Sequence, residues 1–199
     1  MKAPRDRRGT LVFVEGIDGA GKSTLVRGLC RRLRALGYGA AVHREPTNPQ
    51  LGGEAVRRGP EDPLGSALLF TLDRSLSRTR VERLRRRNQV VLQDRSYFST
   101  MAYQGARLAP RVRRLLYEAQ LASSARPDIV LWLRVPVPEA LLRVRRRGRA
   151  SPLERQRIQV GAHAVYARLS RGKEWTVLDG RLPAAQLLER ATLELRRHL

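Results

Sequence analysis

Cysteine, lysine, aromatic residues and long apolar runs are all scarce in this sequence, and each scarcity removes a class of protein. The single cysteine, Cys30, cannot close an internal disulfide and has no second thiol to resolve it. It falls on the apolar face of the first helical pattern, so it reads as a small core residue, and metal binding through cysteine clusters is excluded. No apolar run approaches the ~20 residues needed to cross a bilayer. The start, Met1 to Arg8, is basic but runs into a short apolar strand and a glycine loop with no small-residue cleavage site. A soluble, cytoplasmic protein without membrane association is therefore expected. Aromatics make up only 5% of the chain, too few to interleave with basic residues as a stacking platform for single-stranded nucleic acid.

Acidic residues are also outnumbered: 18 Asp and Glu stand against 40 Lys and Arg, a net charge of +22. Lysine occurs only at positions 2, 22 and 173, so the excess is arginine. Such a charge attracts polyanions and anionic nucleotides. Its scatter over several helical segments fits arginine-rich composition equally well, and nucleic acid is kept as a partner that the sequence does not favour.

A chain of 199 residues builds one domain around one core. Short apolar runs alternate with longer helical patterns, the signature of a parallel sheet with crossover helices. Strands are expected at 10–14, 40–43, 89–93, 129–133 and 175–178, and their continuous hydrophobicity fits burial on both faces. Helices are expected at 22–36, 64–87, 110–124, 138–147, 152–170 and 183–197, several opening at a proline. The Pro- and Gly-rich stretch 47–65 and the segment 148–152 are expected to be mobile.

Between the first strand and the first helix lies Gly16-Ile17-Asp18-Gly19-Ala20-Gly21-Lys22-Ser23, followed by Thr24. A loop that cradles a phosphate chain must turn several backbone N–H groups toward one anion, and Gly16, Gly19 and Gly21 supply the conformational freedom. Lys22 is placed to reach the β- and γ-phosphates of ATP, and Ser23 to hold Mg²⁺. Ala20 and Thr24 complete the nucleotide-binding stretch. The third strand ends in Asp94-Arg95, where a carboxylate can orient the metal and a guanidinium can bind a second phosphate. Taken alone, that pair reads equally well as an ion pair at a strand end.

Four segments together resemble the thymidylate kinase family: Phe13 to Thr24; Arg44-Glu45-Pro46; Leu68 to Arg74; and Asp94-Arg95 followed by Ala102-Tyr103-Gln104-Gly105. Their order and spacing match over nearly the whole chain. The resemblance implies an α/β three-layer P-loop NTPase fold with a five-stranded parallel sheet flanked by helices. It implies transfer of the γ-phosphoryl of ATP to dTMP, with Mg²⁺ held at Ser23 and Asp94, in a homodimer. Apolar residues Leu68, Leu69, Leu72 and Leu76 on the long helix are compatible with a dimer and also with ordinary core.

The resemblance also implies roles. Phe70 stacks on thymine, although by itself it reads as a core phenylalanine. Arg74, one helical turn on, bonds the base or its phosphate. Arg95 clamps the acceptor phosphate, Asp18 takes the sugar 3′-hydroxyl, and Tyr103 packs where a 2′-hydroxyl would sit. Glu45 and Pro46 stand on the acceptor side. Thr100 and Gln104 reach the base edge, or else cap a following helix.

Members of the family carry a catalytic arginine in the phosphate loop or in a lid. The loop here has Gly19-Ala20, so the arginine is expected from a short lid around 143–157, with Arg145, Arg147, Arg149 and Arg155 as candidates and Arg149 and Arg155 taken with Lys22 and Arg95 as the catalytic set. Two departures stand out. Thr47-Asn48 replace the family's glycines after Arg-Glu-Pro, and Ser151 to Arg155 replace its usual lid pattern. Two other readings remain open: a deoxynucleoside kinase using Glu45 as general base, and a P-loop ATPase that works on nucleic acid.

Overall fold

The structure, a computed structural model, describes residues 8–148 and 151–199. Five strands form one sheet: β1 (Thr10–Glu15), β2 (Ala40–Arg44), β3 (Val90–Asp94), β4 (Ile129–Arg134) and β5 (Trp175–Asp179). All neighbouring pairs are parallel and the order is β2-β3-β1-β4-β5, so the strand bearing the glycine loop is central. The α/β three-layer reading of the sequence holds. Leu11, Val12, Phe13 and Val14 are all buried, as continuous apolar strands require when helices cover both sheet faces.

Helices α1 (Lys22–Ala35), α2 (Pro49–Arg58), α3 (Pro63–Arg87), α4 (Tyr97–Tyr103), α5 (Pro110–Ser123), α6 (Val137–Arg146), α7 (Gln156–Leu169) and α8 (Ala184–Arg196) surround the sheet. Right-handed crossovers send the β1-to-β2 connection to one face and the connections that move the other way to the opposite face. Accordingly α1 packs with α8, while α4 contacts α3, α5 and α7. On α1, Leu25, Val26, Leu29, Cys30 and Leu33 form the inward stripe, which accounts for the buried thiol. The few aromatics are concentrated under the other face: Phe13 meets Tyr97 edge-on at 5.8 Å, and Phe98 meets Trp175 at 4.8 Å.

Three expectations change. The stretch 47–65 is not one loop: it holds α2, whose N-cap Asn48 accepts from the Leu51 N–H at 3.0 Å and whose first residue is Pro49. Gly52 lies inside that helix, and glycine is needed there because a Cβ would stand 2.3 Å from Pro46 Cγ. Helix α4 was not expected. Every one of its residues is buried, so no polar face marks its helical period, and it is capped by Ser96, whose hydroxyl accepts from Phe98 N–H at 3.1 Å. The single helix expected at 152–170 is instead a 3-10 turn at Pro152–Glu154 followed by α7.

Candidate active site

The phosphate loop leaves the carboxyl end of β1, where open parallel sheets bind ligands. Gly16, Gly19 and Gly21 have φ of 146°, 85° and 98°, in the left-handed region. Sterics demand glycine as well: a Cβ on Gly19 would stand 2.1 Å from the Ala140 carbonyl oxygen. Helix α1 starts directly after the loop and has no acidic residue in its first turn, so its positive end faces the loop uncompensated. Lys22 is 6% exposed, and its Nζ donates to the carbonyls of Gly16 at 2.8 Å and Ile17 at 2.9 Å. Burial, helped by the nearby Arg95 cation, pulls its pKa down to about 8. The Ser23 hydroxyl donates to Asp94 Oδ2 at 2.5 Å.

Beyond Asp94 the backbone turns sharply. Arg95 is the one non-glycine residue with positive φ among the described residues, at 72°. Its N–H donates to the Val14 carbonyl at 3.2 Å, and its carbonyl accepts from Gln93 Nε2 at 3.0 Å, which fixes the turn. The turn folds the guanidinium back over the loop. There it pairs with Asp18, reaches Ser99 Oγ at 3.4 Å and lies 5.7 Å from the Tyr103 ring centroid. Burial works to raise the Asp18 pKa, but Arg95 and Lys22 outweigh it and hold the carboxyl below its ordinary value.

This turn opens on a cleft of about 250 Å³ whose wall includes Asp18, Glu45, Pro46, Phe70, Arg74, Arg95, Thr100, Tyr103 and Gln104. All the residues expected on the acceptor side therefore share one cavity. Phe70 is half-buried on the cleft wall and is not among the core residues. Thr100 lies inside α4, and Gln104 closes it and starts the short 3-10 turn Gly105–Arg107. Arg74, 4% exposed, is held by neighbours: Nε and one terminal nitrogen donate to Glu45 Oε2 at 2.9 and 2.6 Å, and another donates to Gln120. Gln93 Nε2 occupies the other Glu45 oxygen at 2.9 Å. Burial raises the Glu45 pKa against the pull of Arg74.

The loop after Glu45-Pro46, where Thr47-Asn48 replace glycines, is anchored by Asp73. This buried carboxylate accepts from Thr47 N–H at 2.9 Å, Thr47 Oγ1 at 2.9 Å and Asn48 N–H at 2.6 Å. In the segment expected as a lid, Arg143 donates to the Gly180 carbonyl at 3.0 Å, and Arg147 lines the cleft and pairs with the buried Glu154. Arg155 stands on the surface, 3.3 Å from Glu61. Arg149 lies outside the described residues. Leu153 closes down on α2, where a Cβ on Gly59 would meet its Cδ2 at 2.4 Å.

Sequence reasoning missed part of the site. Arg44, Val56, Ser99 and Leu153 also line the cleft. A second hollow of about 400 Å³ behind the loop includes Ala20, Gly21, Thr24, Arg143, Gly180 and Leu182. No sequence pattern marks its far wall, which follows the carboxyl end of β5 at Gly180 and Leu182.

A glycine loop with a buried lysine, facing an arginine-bearing cleft across the end of the same sheet, defines a P-loop phosphotransferase of the nucleotide-kinase kind. A family model for thymidylate kinase matches residues 14–191. A probable thymidylate kinase of Archaeoglobus fulgidus is 37% identical over 150 residues, covering 73% of this chain and 74% of its own length. A probable thymidylate kinase of Methanospirillum hungatei is 34% identical over 188 residues, 90% of each chain. A thymidylate kinase of Xanthomonas campestris pv. campestris is 34% identical over 192 residues, 92% of this chain and 81% of its own. The chain belongs to the thymidylate kinase family. No helix among the described residues is long and apolar enough to cross a membrane.

Proposed function

We propose that this protein transfers the γ-phosphoryl group of ATP to dTMP, giving dTDP and ADP. The observation that carries the reading is Arg95: an arginine in a left-handed turn, held over the phosphate loop by Asp18 and opening on a cleft with Phe70, Arg74 and Tyr103. The loop receives the ATP phosphates on its N–H groups, and the hollow behind it takes the nucleoside of ATP. Lys22 exchanges its two backbone carbonyl partners for phosphate oxygens. Ser23 and Asp94 offer a hydroxyl and a carboxylate, a hard oxygen pair that suits Mg²⁺ completed by water and phosphate oxygens. When bound there, Mg²⁺ neutralises charge on the phosphates.

In the cleft, Phe70 stacks on thymine, Arg74 with Thr100 and Gln104 faces the base edge, and Arg95 aligns the acceptor phosphate for in-line attack. Asp18 and Tyr103 receive the sugar. Glu45 and Pro46 shape the floor, Glu45 as the anchor of Arg74. Because the acceptor phosphate is already ionised, no strong base is required. In this reading Arg147 is the lid arginine that meets the transferring phosphoryl group, supported by its position in the cleft wall. Arg149, outside the described residues, stays a candidate for the same role, whereas Arg155, on the surface beside Glu61, does not line the cleft. A hydroxyl acceptor is disfavoured, since both oxygens of Glu45, its best candidate base, are occupied by Arg74 and Gln93.

The same reading makes the chain one catalytic domain with a lid around 143–157, working as a cytoplasmic homodimer. Leu64, Leu68, Leu72 and Leu76 support the dimer: they recur every fourth residue on α3 and are exposed. The acceptor preference is tested by supplying ATP and Mg²⁺ with dTMP, dUMP, dCMP, dGMP and thymidine in turn. dTDP is expected well ahead of every other product. Preferential phosphorylation of thymidine or of another monophosphate would overturn the assignment.

A further inference from the structure

Helix α7 follows the lid and carries Gln159, whose side chain is 0% exposed and does not line the acceptor cleft. Its carbonyl oxygen accepts from two groups that do line the cleft: the Asp18 N–H at 3.2 Å and the Tyr103 hydroxyl at 3.2 Å. The Asp18 N–H also donates to the Tyr103 hydroxyl oxygen, at 2.8 Å. The three groups therefore close a triangle that joins the phosphate loop, α4 and α7. The amide nitrogen of Gln159 is buried with no hydrogen-bond partner among the described residues. A glutamine whose donor is left orphaned contributes to the fold through its acceptor alone, since an unsatisfied buried donor is a cost.

We propose that Gln159 is a positioning residue that sets the sugar preference of the acceptor site, by holding the Tyr103 ring through its hydroxyl against the space beside the sugar. This rests on the reading of the cleft as the dTMP site. A tyrosine ring excludes a 2′-hydroxyl only if it cannot swing: Tyr103 is packed in the core with Arg95 over its face, and hydrogen bonds tie its outer end. The hydroxyl is that end, and Asp18 and Gln159 hold it from two elements. The arrangement also leaves the phenol no free proton to offer a ribose hydroxyl. Without Gln159 the ring keeps only the bond from Asp18 and its phenol proton is free to meet the extra oxygen; without the hydroxyl the ring is tied by neither.

The test compares kcat/KM for dTMP and for its ribose counterpart in the wild type, in Gln159→Met, in Tyr103→Phe and in the double variant. Gln159→Met keeps the volume and removes the acceptor; Tyr103→Phe keeps the ring and removes the hydroxyl. The preference for dTMP is expected to fall about tenfold in Gln159→Met and at least as far in Tyr103→Phe, which also removes the hydroxyl that accepts from the Asp18 N–H, and the double variant is expected to match Tyr103→Phe because the contact with Gln159 is already gone there. A purely structural role lowers both substrates together and leaves the ratio unchanged, and that result overturns the proposal. So do additive losses in the double variant. Tyr103→Phe carries the same prediction alone: an unchanged ratio there overturns it whatever Gln159→Met does. Absence of dTDP from the wild type overturns the reading on which the proposal rests, and the proposal with it.

Discussion

The Ser23 hydroxyl donates to the Asp94 carboxylate at 2.5 Å, joining the first turn of α1 to the last residue of β3. The two strand ends are in register, Val14 of β1 opposite Asp94 of β3, so the contact follows from the parallel ladder and the short loop between β1 and α1. The sheet itself thus brings the proposed metal-holding pair together.

Ser23→Ala and Asp94→Asn are accordingly predicted to raise the Mg²⁺ concentration for half-maximal rate by about tenfold or more. A Mg²⁺ titration of initial rates checks this. An unchanged titration curve in both variants contradicts the assignment.

Lys22 gives a pH dependence. Its folded pKa, pulled down to about 8 by burial, lies below the ordinary 10.5. Above pH 8 the free enzyme loses the cation that meets the ATP phosphates, so kcat/KM for ATP is predicted to fall through that range. Stability moves the other way. Between about 8 and 10.5 the unfolded chain holds the proton that the native state has released, so the Lys22 contribution stabilises the fold as pH rises. Lys22→Met is predicted to lose that component of the pH–stability slope, measured by denaturant titration, and to lower kcat by about 10² or more.

Asp73 is predicted to be the stability anchor of the acceptor-side loop. Asp73→Ala leaves the Thr47 and Asn48 N–H groups and the Thr47 hydroxyl without their acceptor. The cost is about 2–4 kcal/mol, which lowers Tm by roughly 5–10 °C for a chain of this size. The KM for dTMP rises with it. A calorimetric scan and a KM determination test both; a Tm within error of wild type would contradict the anchoring.

The leucine stripe on α3 predicts an interface between two copies of the chain. Leu72→Glu, at the middle of the stripe, is predicted to halve the mass in solution measured by light scattering and to leave the far-ultraviolet dichroism unchanged. A wild-type protein that is already monomeric would contradict the dimer.

The inner strands β1, β3 and β4 were legible because burial on both faces reads as an unbroken apolar run, the edge strands β2 and β5 by short apolar runs although Val42 and Val177 are exposed rather than buried as expected, and the phosphate loop because glycine spacing and positive φ are two faces of one steric demand. Phe70, Arg74 and Tyr103 were found only through the family resemblance. Their side chains converge through tertiary packing, and none carries a local pattern. α2 was concealed by Gly52 and Gly53, which read as a loop although Asn48-Pro49 is a helix start. α4 was concealed because every one of its residues is buried, so it has no polar face to give a period. Gln159 had no signal at all, since a glutamine on a helix is ordinarily a solvated residue and only its contacts with Asp18 and Tyr103 single it out.

The most direct test of the central claim follows label from γ-labelled ATP in the presence of dTMP and Mg²⁺, with wild-type protein and Arg95→Ala side by side. The account predicts label in dTDP for the wild type, and a loss of about 10²-fold or more in that transfer for Arg95→Ala, whose clamp on the acceptor phosphate is gone. Label released only as inorganic phosphate by the wild type, or dTDP formed equally by both proteins, would contradict it.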